Sequence, residues 1–138
     1  MRTQIAAANW KMNLTLDQAN DLVHNLLGQE VNLNENRIAV LGVPFPYLLM
    51  VKEKLKDRQH FFVAAQNCCN KESGAYTGET SLEMLQSIGV DYVIIGHSER
   101  REYFNESNQL LAEKINITLD YGLTPIFCCG EALAIKMK

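Results

Sequence analysis

Five short, unbroken apolar segments recur along the chain at intervals of about 30 residues, the length of a βαβ unit. They begin near residues 4, 37, 60, 91 and 124, so successive starts are separated by 33, 23, 31 and 33 residues. Because the apolar residues are continuous rather than alternating, both faces of the strands are expected to be covered. The pattern predicts an α/β fold built on a parallel sheet.

Amphipathic segments lie between the predicted strands. Thr15 and Gln18 have the spacing of a capping box, and the helix behind them is expected to end at Gly28. A second helix is predicted over residues 47–55, after Pro46, because proline suits a first helical position.

Two further helices are predicted in the second half of the chain. Residues 80–83 resemble a second capping box, before a short helix that Gly89 would end. Asn105 is expected to cap the last of the four helices. The buried side of that helix is predicted to carry Leu111, Ile115 and Leu119.

The composition is that of one globular domain, which we expect to occupy residues 1–138 without a second domain. Of the 138 residues, 47% are apolar and 21% are charged, and the net charge is −3. This balance provides no broad cationic surface for nucleic acid or anionic lipid. The chain also has no apolar run near the roughly 20 residues of a membrane helix, and no secretion signal at its N-terminus. Neither nucleic acid nor a membrane is expected as a partner.

Four cysteines form two adjacent pairs, Cys68 with Cys69 and Cys128 with Cys129. Zinc ligands are normally separated by two to four residues, and no histidine lies near enough to complete a site. The spacing favours reduced, mostly buried thiols over a metal site or a disulfide. We therefore expect a reducing, cytoplasmic compartment.

Periodicity leaves two architectures open, a doubly wound open sheet and part of a (β/α)₈ barrel. A dinucleotide-binding sheet would have G-x-G-x-x-G after its first strand, where this chain has NWKMN at residues 9–13. The chain stops within a helix after the fifth strand, which would leave a sheet edge and an apolar face uncovered. We expect these residues to form part of a larger sheet.

Polar side chains follow the predicted strands at the ends where α/β proteins place their sites. Asn9 and Lys11 follow the first strand, and His97 and Glu99 follow the fourth. His97 begins a helical turn whose N–H groups oppose protonation, which predicts a neutral, donating imidazole. A helix-start histidine bonded locally explains the same pattern equally well.

The charged residues near His97 also have ordinary explanations. Lys11 could pair with Glu99, face an anionic ligand, or be a surface lysine. Arg100 and Arg101 are more typical of structural ion pairs than of substrate clamps.

Several motifs in this order and spacing resemble the triosephosphate isomerase family: NWKMN at 9–13, AQN at 65–67, KESGAYTGE at 71–79, GHSERR at 96–101 and CGE at 129–131. The resemblance covers the first half of the family's barrel of about 250 residues. It implies the first five strands and four helices of a (β/α)₈ TIM barrel, truncated in the helix after strand five.

The resemblance implies an isomerase that interconverts dihydroxyacetone phosphate and D-glyceraldehyde 3-phosphate through an enediolate, in glycolysis and gluconeogenesis, with no cofactor and no metal. Asn9 and Lys11 would contact the substrate, and Lys11 would offset the charge of the phosphate and the enediolate. His97 would be the neutral electrophile, a role for which this family is itself the usual example. Glu99 would be the supporting carboxylate.

The resemblance also implies a homodimer, formed through the loop after the third strand. Thr77 at the tip of that loop would reach the partner's active site. Glu79, Arg100 and Glu106 match positions of the ion-pair network that braces the interface.

The family's carboxylate base and phosphate-binding loops follow strands six to eight, which lie outside these 138 residues. Lys136 also stands where the family usually has arginine. Since proton removal from carbon needs a base, the chain alone is expected to be inactive. A natural or engineered half-barrel acting as a non-catalytic assembly or binding module is the alternative, and another phosphosugar barrel enzyme is a third reading.

Overall fold

The computed structural model describes residues 2–137. The strands and helices alternate as follows: β1 (Gln4–Asn9), α1 (Leu16–Leu27), β2 (Arg37–Val43), a 3₁₀ turn (Phe45–Tyr47), α2 (Leu48–Leu55), β3 (Phe61–Ala65), α3 (Leu82–Ser87), β4 (Tyr92–Ile95), α4 (Ser98–Tyr103), α5 (Asn108–Asp120), β5 (Thr124–Phe127) and α6 (Leu133–Lys136). Over this range, no helix is both long and apolar enough to cross a membrane.

The five strands form one parallel sheet in the order β1-β2-β3-β4-β5. Each strand therefore lies beside its neighbour in sequence, and the sheet never reverses its winding direction. A doubly wound sheet reverses at a switch point, whereas a (β/α)₈ barrel winds one way only. The order decides between the two predicted architectures and makes this sheet the first five strands of a TIM barrel.

The two faces of the sheet carry different clusters of buried side chains. The larger cluster lies between the sheet and the helices and includes Val43, Val63 and Val93. A smaller cluster of Ile38, Val40, Ala64 and Ile94 lies on the opposite face, which is the inner face of a barrel. Two buried faces explain why the central strands consist of continuous apolar runs.

The expectation that every strand is covered on both faces is wrong for β1 and for β5. No residue of β5 is buried, and Phe127 exposes 47% of its surface. All six residues of β1 are exposed, and Ile5 exposes 52% of its surface. In the described part of the chain β1 pairs only with β2, so it is an edge strand without a second neighbour. The apolar sequence of β1 therefore predicts correctly that the segment is a strand, but it does not predict that the strand is exposed.

The helix starts are predicted correctly for α1 and wrongly for α3 and α5. Thr15 and Gln18 form the predicted capping box. Ser81 caps α3 in place of Thr80, and Ser107 caps α5 in place of Asn105. In both cases the serine hydroxyl accepts a hydrogen bond from the backbone N–H of the third helical residue, which is the geometry of an N-cap. Asn105 instead adopts φ +52° in the turn that separates α4 from α5.

Residues 2–137 form six α-helices. Besides the four predicted between the strands, they include α4, where His97 was expected to begin a helical turn, and α6, the expected helix after β5. Within α5 the predicted buried side is only partly correct, because Leu111 is buried and Leu119 is 56% exposed. Lys114 and Thr118 are buried instead.

The four cysteines are free thiols in the structure. Cys68 and Cys69 are buried as expected, whereas Cys128 is half-buried and Cys129 is exposed. Burial raises the pKa of Cys68 to about 11, so its thiol stays protonated at neutral pH. The prediction of mostly buried thiols therefore holds for the first pair and is wrong for Cys129.

Candidate active site

The turn after β1 is held in an unusual backbone conformation at Lys11. Its φ is +56°, in the left-handed region that residues with a Cβ rarely adopt. The Lys11 N–H donates to Asn9 Oδ1 at 2.9 Å, within the same turn. Such strain persists only where the surrounding contacts compensate for it.

Gln66 supplies those contacts from the end of β3. Its Nε2 donates to Asn9 Oδ1 at 3.1 Å and to the carbonyl oxygen of Lys11 at 2.9 Å. One side-chain amide therefore fixes both the Asn9 side chain and the Lys11 backbone. The sequence pattern indicated no role for Gln66, although Gln66 is the first polar residue after its predicted strand, as Asn9 is.

Lys11 and Glu99 form an ion pair across the carboxyl ends of β1 and β4. Lys11 Nζ lies 2.7 Å from Glu99 Oε1, and both side chains are about half exposed. The hydrogen bond from Lys11 holds the pKa of Glu99 below its ordinary value, and the charge of Lys11 acts in the same direction. Of the roles open to Lys11 in the sequence, pairing with Glu99 is the one observed.

His97 lies at the N-cap of α4, with its ring beside Glu99. The Glu99 N–H donates to His97 Nδ1 at 3.2 Å, and Glu99 Oε2 lies 3.6 Å from the same nitrogen. A ring nitrogen that accepts an N–H bond carries no hydrogen, so this bond assigns the neutral tautomer with hydrogen on Nε2. The Nε2–H group is then the donor available to a ligand.

The strand ends thus bring together a primary ammonium group, a neutral imidazole and a carboxylate. Asn9 pairs with Gly42 in the sheet register and shares the inner face with it. At the same edge, Glu99 contacts both Lys11 and His97. This set of groups can bind an anionic ligand and polarise a carbonyl oxygen next to it.

The structure brings together two of the four residues predicted at an interface. Arg100 Nε lies 3.2 Å from Glu106 Oε2, and Glu106 is buried. Thr77 and Glu79 are exposed on the loop between β3 and α3. Within residues 2–137, the Glu79 carboxylate makes no ion pair, so it is not joined to Arg100 or Glu106 here.

A buried lysine that the sequence did not suggest completes the Glu106 cluster. Lys114 Nζ donates to Glu106 Oε2 and, at 2.8 Å, to Asn67 Oδ1. Lys114 is 5% exposed, so its ammonium group depends on these two acceptors in place of water. The cluster ties α5 to the loop after β3 and to the segment that follows α4.

Arg101 differs from its neighbour Arg100 and from the sequence expectation of an ion pair. Among the described residues it faces no carboxylate, and its guanidinium donates to the carbonyl oxygens of Gly96 and Cys128 and to Asn108 Oδ1. The expected ion pairing is therefore observed for Arg100 and wrong for Arg101.

Comparisons with known proteins agree with this geometry. The family model described as triosephosphate isomerase matches residues 4–138. The triosephosphate isomerase of Cytophaga hutchinsonii is 51% identical over 137 residues, which cover 97% of this chain and 53% of that protein. Those of Porphyromonas gingivalis and Acetivibrio thermocellus are 47% and 48% identical, over 96% of this chain and 53% and 51% of their own lengths.

The chain spans about half the length of the curated relatives that it matches. The similarity extends through every element from β1 to α6, and the parallel sheet has the strand order of a TIM barrel. The chain belongs to the triosephosphate isomerase family.

Proposed function

We propose that the protein carrying these 138 residues interconverts dihydroxyacetone phosphate and D-glyceraldehyde 3-phosphate, a step of glycolysis and gluconeogenesis, without a cofactor. The observation that carries the proposal is that Glu99 contacts both Lys11 and His97 at the carboxyl end of the sheet. Family membership gives the substrate class, and this cluster supplies the groups that such a reaction needs.

Lys11, together with Asn9, is assigned the role of binding the negatively charged substrate. The Lys11 side chain is about half exposed, so a phosphorylated ligand can reach its ammonium group from solvent. Glu99 keeps the ammonium group in place before the ligand arrives, and Gln66 fixes the turn that carries it. A cation held in position stabilises charge that develops on the enediolate oxygen without reorganising during the reaction.

His97 is assigned to the substrate carbonyl. Its Nε2–H donates to the carbonyl oxygen, which draws electron density from the neighbouring carbon and makes that carbon's proton easier to remove. As the enediolate forms, the imidazole passes a proton between the two substrate oxygens and ends the cycle neutral. The bond from the Glu99 N–H to Nδ1 holds the tautomer that this sequence of transfers requires.

Removal of the carbon-bound proton is assigned to a carboxylate that the family resemblance locates after a sixth strand, outside these residues. We therefore propose that the 138-residue polypeptide alone does not turn over substrate. It would supply the electrophilic and charge-stabilising part of the site only.

We also propose that the protein is a homodimer in the cytoplasm. The loop between β3 and α3 is exposed yet internally bonded: Cys69 N–H donates to Thr80 O at 2.8 Å, and Glu79 N–H to Tyr76 O at 3.0 Å. A polar loop held in this way is suited to insertion into a second subunit, with Thr77 at its tip. The four free thiols favour a reducing compartment.

A coupled assay of triose phosphate interconversion tests the proposal. The complete protein is expected to catalyse the reaction in both directions, and the 138-residue polypeptide is expected to show no turnover. Absence of activity in the complete, folded protein would contradict the isomerase assignment. Turnover by the 138 residues alone would contradict the assigned location of the base.

A further inference from the structure

We propose that Arg101 is a positioning residue for His97, because its guanidinium group holds the peptide that leads into the histidine. The inference rests on the proposed function only in treating His97 as the catalytic group. Arg101 itself lies behind the site and is half-buried. Its role would be exerted through the backbone, without contact with the substrate.

The Arg101 side chain connects three elements around the site. Nε donates to the carbonyl oxygen of Gly96 at 2.7 Å, directly after β4. Nη2 donates to the carbonyl oxygen of Cys128 at 2.8 Å, directly after β5, and Nη1 donates to Asn108 Oδ1 at 3.2 Å, at the start of α5. The end of β4 is thereby tied to its neighbours on the side away from β3.

The Arg101 backbone holds the peptide on the other side of the histidine. Its N–H donates to the carbonyl oxygen of His97 at 3.1 Å, as part of the first turn of α4. The carbonyl groups immediately before and after the His97 α-carbon therefore both accept hydrogen bonds from the same residue. Reorienting the His97 backbone requires at least one of these two bonds to break.

Gly96 leaves the space that the Arg101 guanidinium group occupies. Its φ is +79°, which favours glycine, and a Cβ at this position would lie 2.9 Å from Arg101 Nη2. Any larger residue would both strain the backbone and displace the guanidinium group. The position of the Arg101 guanidinium group beside His97 therefore depends on glycine at residue 96.

The chemistry of the contacts distinguishes this arginine from a structural ion pair. All three acceptors are neutral, and the guanidinium carbon lies 5.4 Å from the centre of the Phe127 ring. A planar group with five donors can reach the Gly96 and Cys128 carbonyls at once, whereas a lysine offers one donor centre. Arg101→Lys should therefore retain only part of the positioning of His97.

The test is carried out on the complete protein with Arg101→Met, Arg101→Lys and a matched control, Arg58→Met. Arg58 also donates to a carbonyl oxygen, that of Leu27 at 3.0 Å, and lies 5.7 Å from the Phe61 ring, but it is outside the site. We expect Arg101→Met to lower kcat by about 10- to 100-fold, since a small misplacement of a reacting group has that effect. KM should stay within about threefold, and Arg101→Lys should fall between Arg101→Met and the wild type.

The ¹⁵N signals of the His97 ring provide a readout that a general loss of stability would not change. The wild type should show one neutral tautomer with hydrogen on Nε2, and Arg101→Met should lose that single state. Arg58→Met should keep the wild-type ring signals and kcat. If Arg101→Met does not fold, Arg101→Lys is expected to shift the same two measurements in the same direction by smaller amounts.

The proposal is overturned if the folded Arg101 variants keep both the wild-type kcat and the His97 ring signals. An inactive wild-type protein would overturn the proposed function instead, and the ring signals of the Arg101 variants would still decide this inference.

Discussion

Lys11 Nζ donates a hydrogen bond of 2.7 Å to Glu99 Oε1, although 88 residues separate the two in the chain. The contact joins the first strand of the sheet to the fourth at their carboxyl ends. It places a cation beside the histidine that Glu99 also contacts. The ion pair therefore connects the residue that follows β1, Lys11, to the residues that follow β4, Glu99 and His97.

The first prediction concerns the titration of Glu99. Because the hydrogen bond from Lys11 is the main cause of its lowered pKa, Lys11→Met should raise the pKa of Glu99 toward its ordinary value of 4.5. The carboxyl ¹³C shift measured against pH reports this directly. Lys54→Met, which removes an exposed lysine of α2, should leave the Glu99 titration unchanged.

The same pair makes a pH-dependent contribution to folding. A carboxylate whose pKa is lowered by folding stabilises the native state above its unfolded pKa, and that contribution is lost as the pH falls through the folded pKa. The difference in unfolding free energy between wild type and Lys11→Met should therefore be largest above about pH 4.5 and shrink on acidification. A difference that grows below pH 4 in denaturant titrations would be the opposite of what the ion pair requires.

A second prediction concerns ligand binding by Lys11. Lys11→Met should weaken the affinity for a phosphorylated competitive inhibitor by about tenfold or more, because it removes a cation from the site. Isothermal titration of the complete protein measures the change, with Lys54→Met as the matched control. Equal affinities for wild type and Lys11→Met would show that Lys11 does not contribute to binding the inhibitor.

A third prediction concerns the buried cluster of Glu106, Lys114 and Asn67. Lys114→Met should lower the unfolding free energy by about 3 kcal/mol, because a buried carboxylate loses its main partner. Adding Glu106→Gln to Lys114→Met should recover part of that loss, since no buried charge is then left unpaired. Additive losses in the double variant, measured by chemical denaturation, would show that the two side chains are not coupled.

Periodicity was sufficient to predict the parallel sheet, and the rule that strand ends gather at one edge predicted the grouping of Asn9, Lys11, His97 and Glu99. Periodicity left the barrel and the doubly wound sheet open, and the family resemblance pointed to the barrel. The burial of Lys114 could not be predicted in the same way. It depends on a carboxylate eight residues earlier and on Asn67 in a separate element, so helical periodicity alone favoured Leu119 in its place.

The cap assignments show a second limit of sequence patterns. Asn105 and Ser107 are both good N-cap residues, and the backbone turn at Asn105 determines which one begins α5. Gln66 received no role and Arg101 was expected in an ion pair for another reason. Both side chains donate to backbone carbonyl groups, and no pattern of residue types in the sequence reveals such contacts.

The most direct measurement of the central claim is the kcat of the complete protein and of His97→Gln in the triose phosphate assay. Glutamine keeps a hydrogen-bond donor but cannot pass a proton between the substrate oxygens, so kcat should fall by at least about 100-fold with a modest change in KM. His24→Gln, on the exposed side of α1, should retain wild-type turnover. Equal turnover by His97→Gln and wild type would contradict the assignment of His97 as the catalytic group.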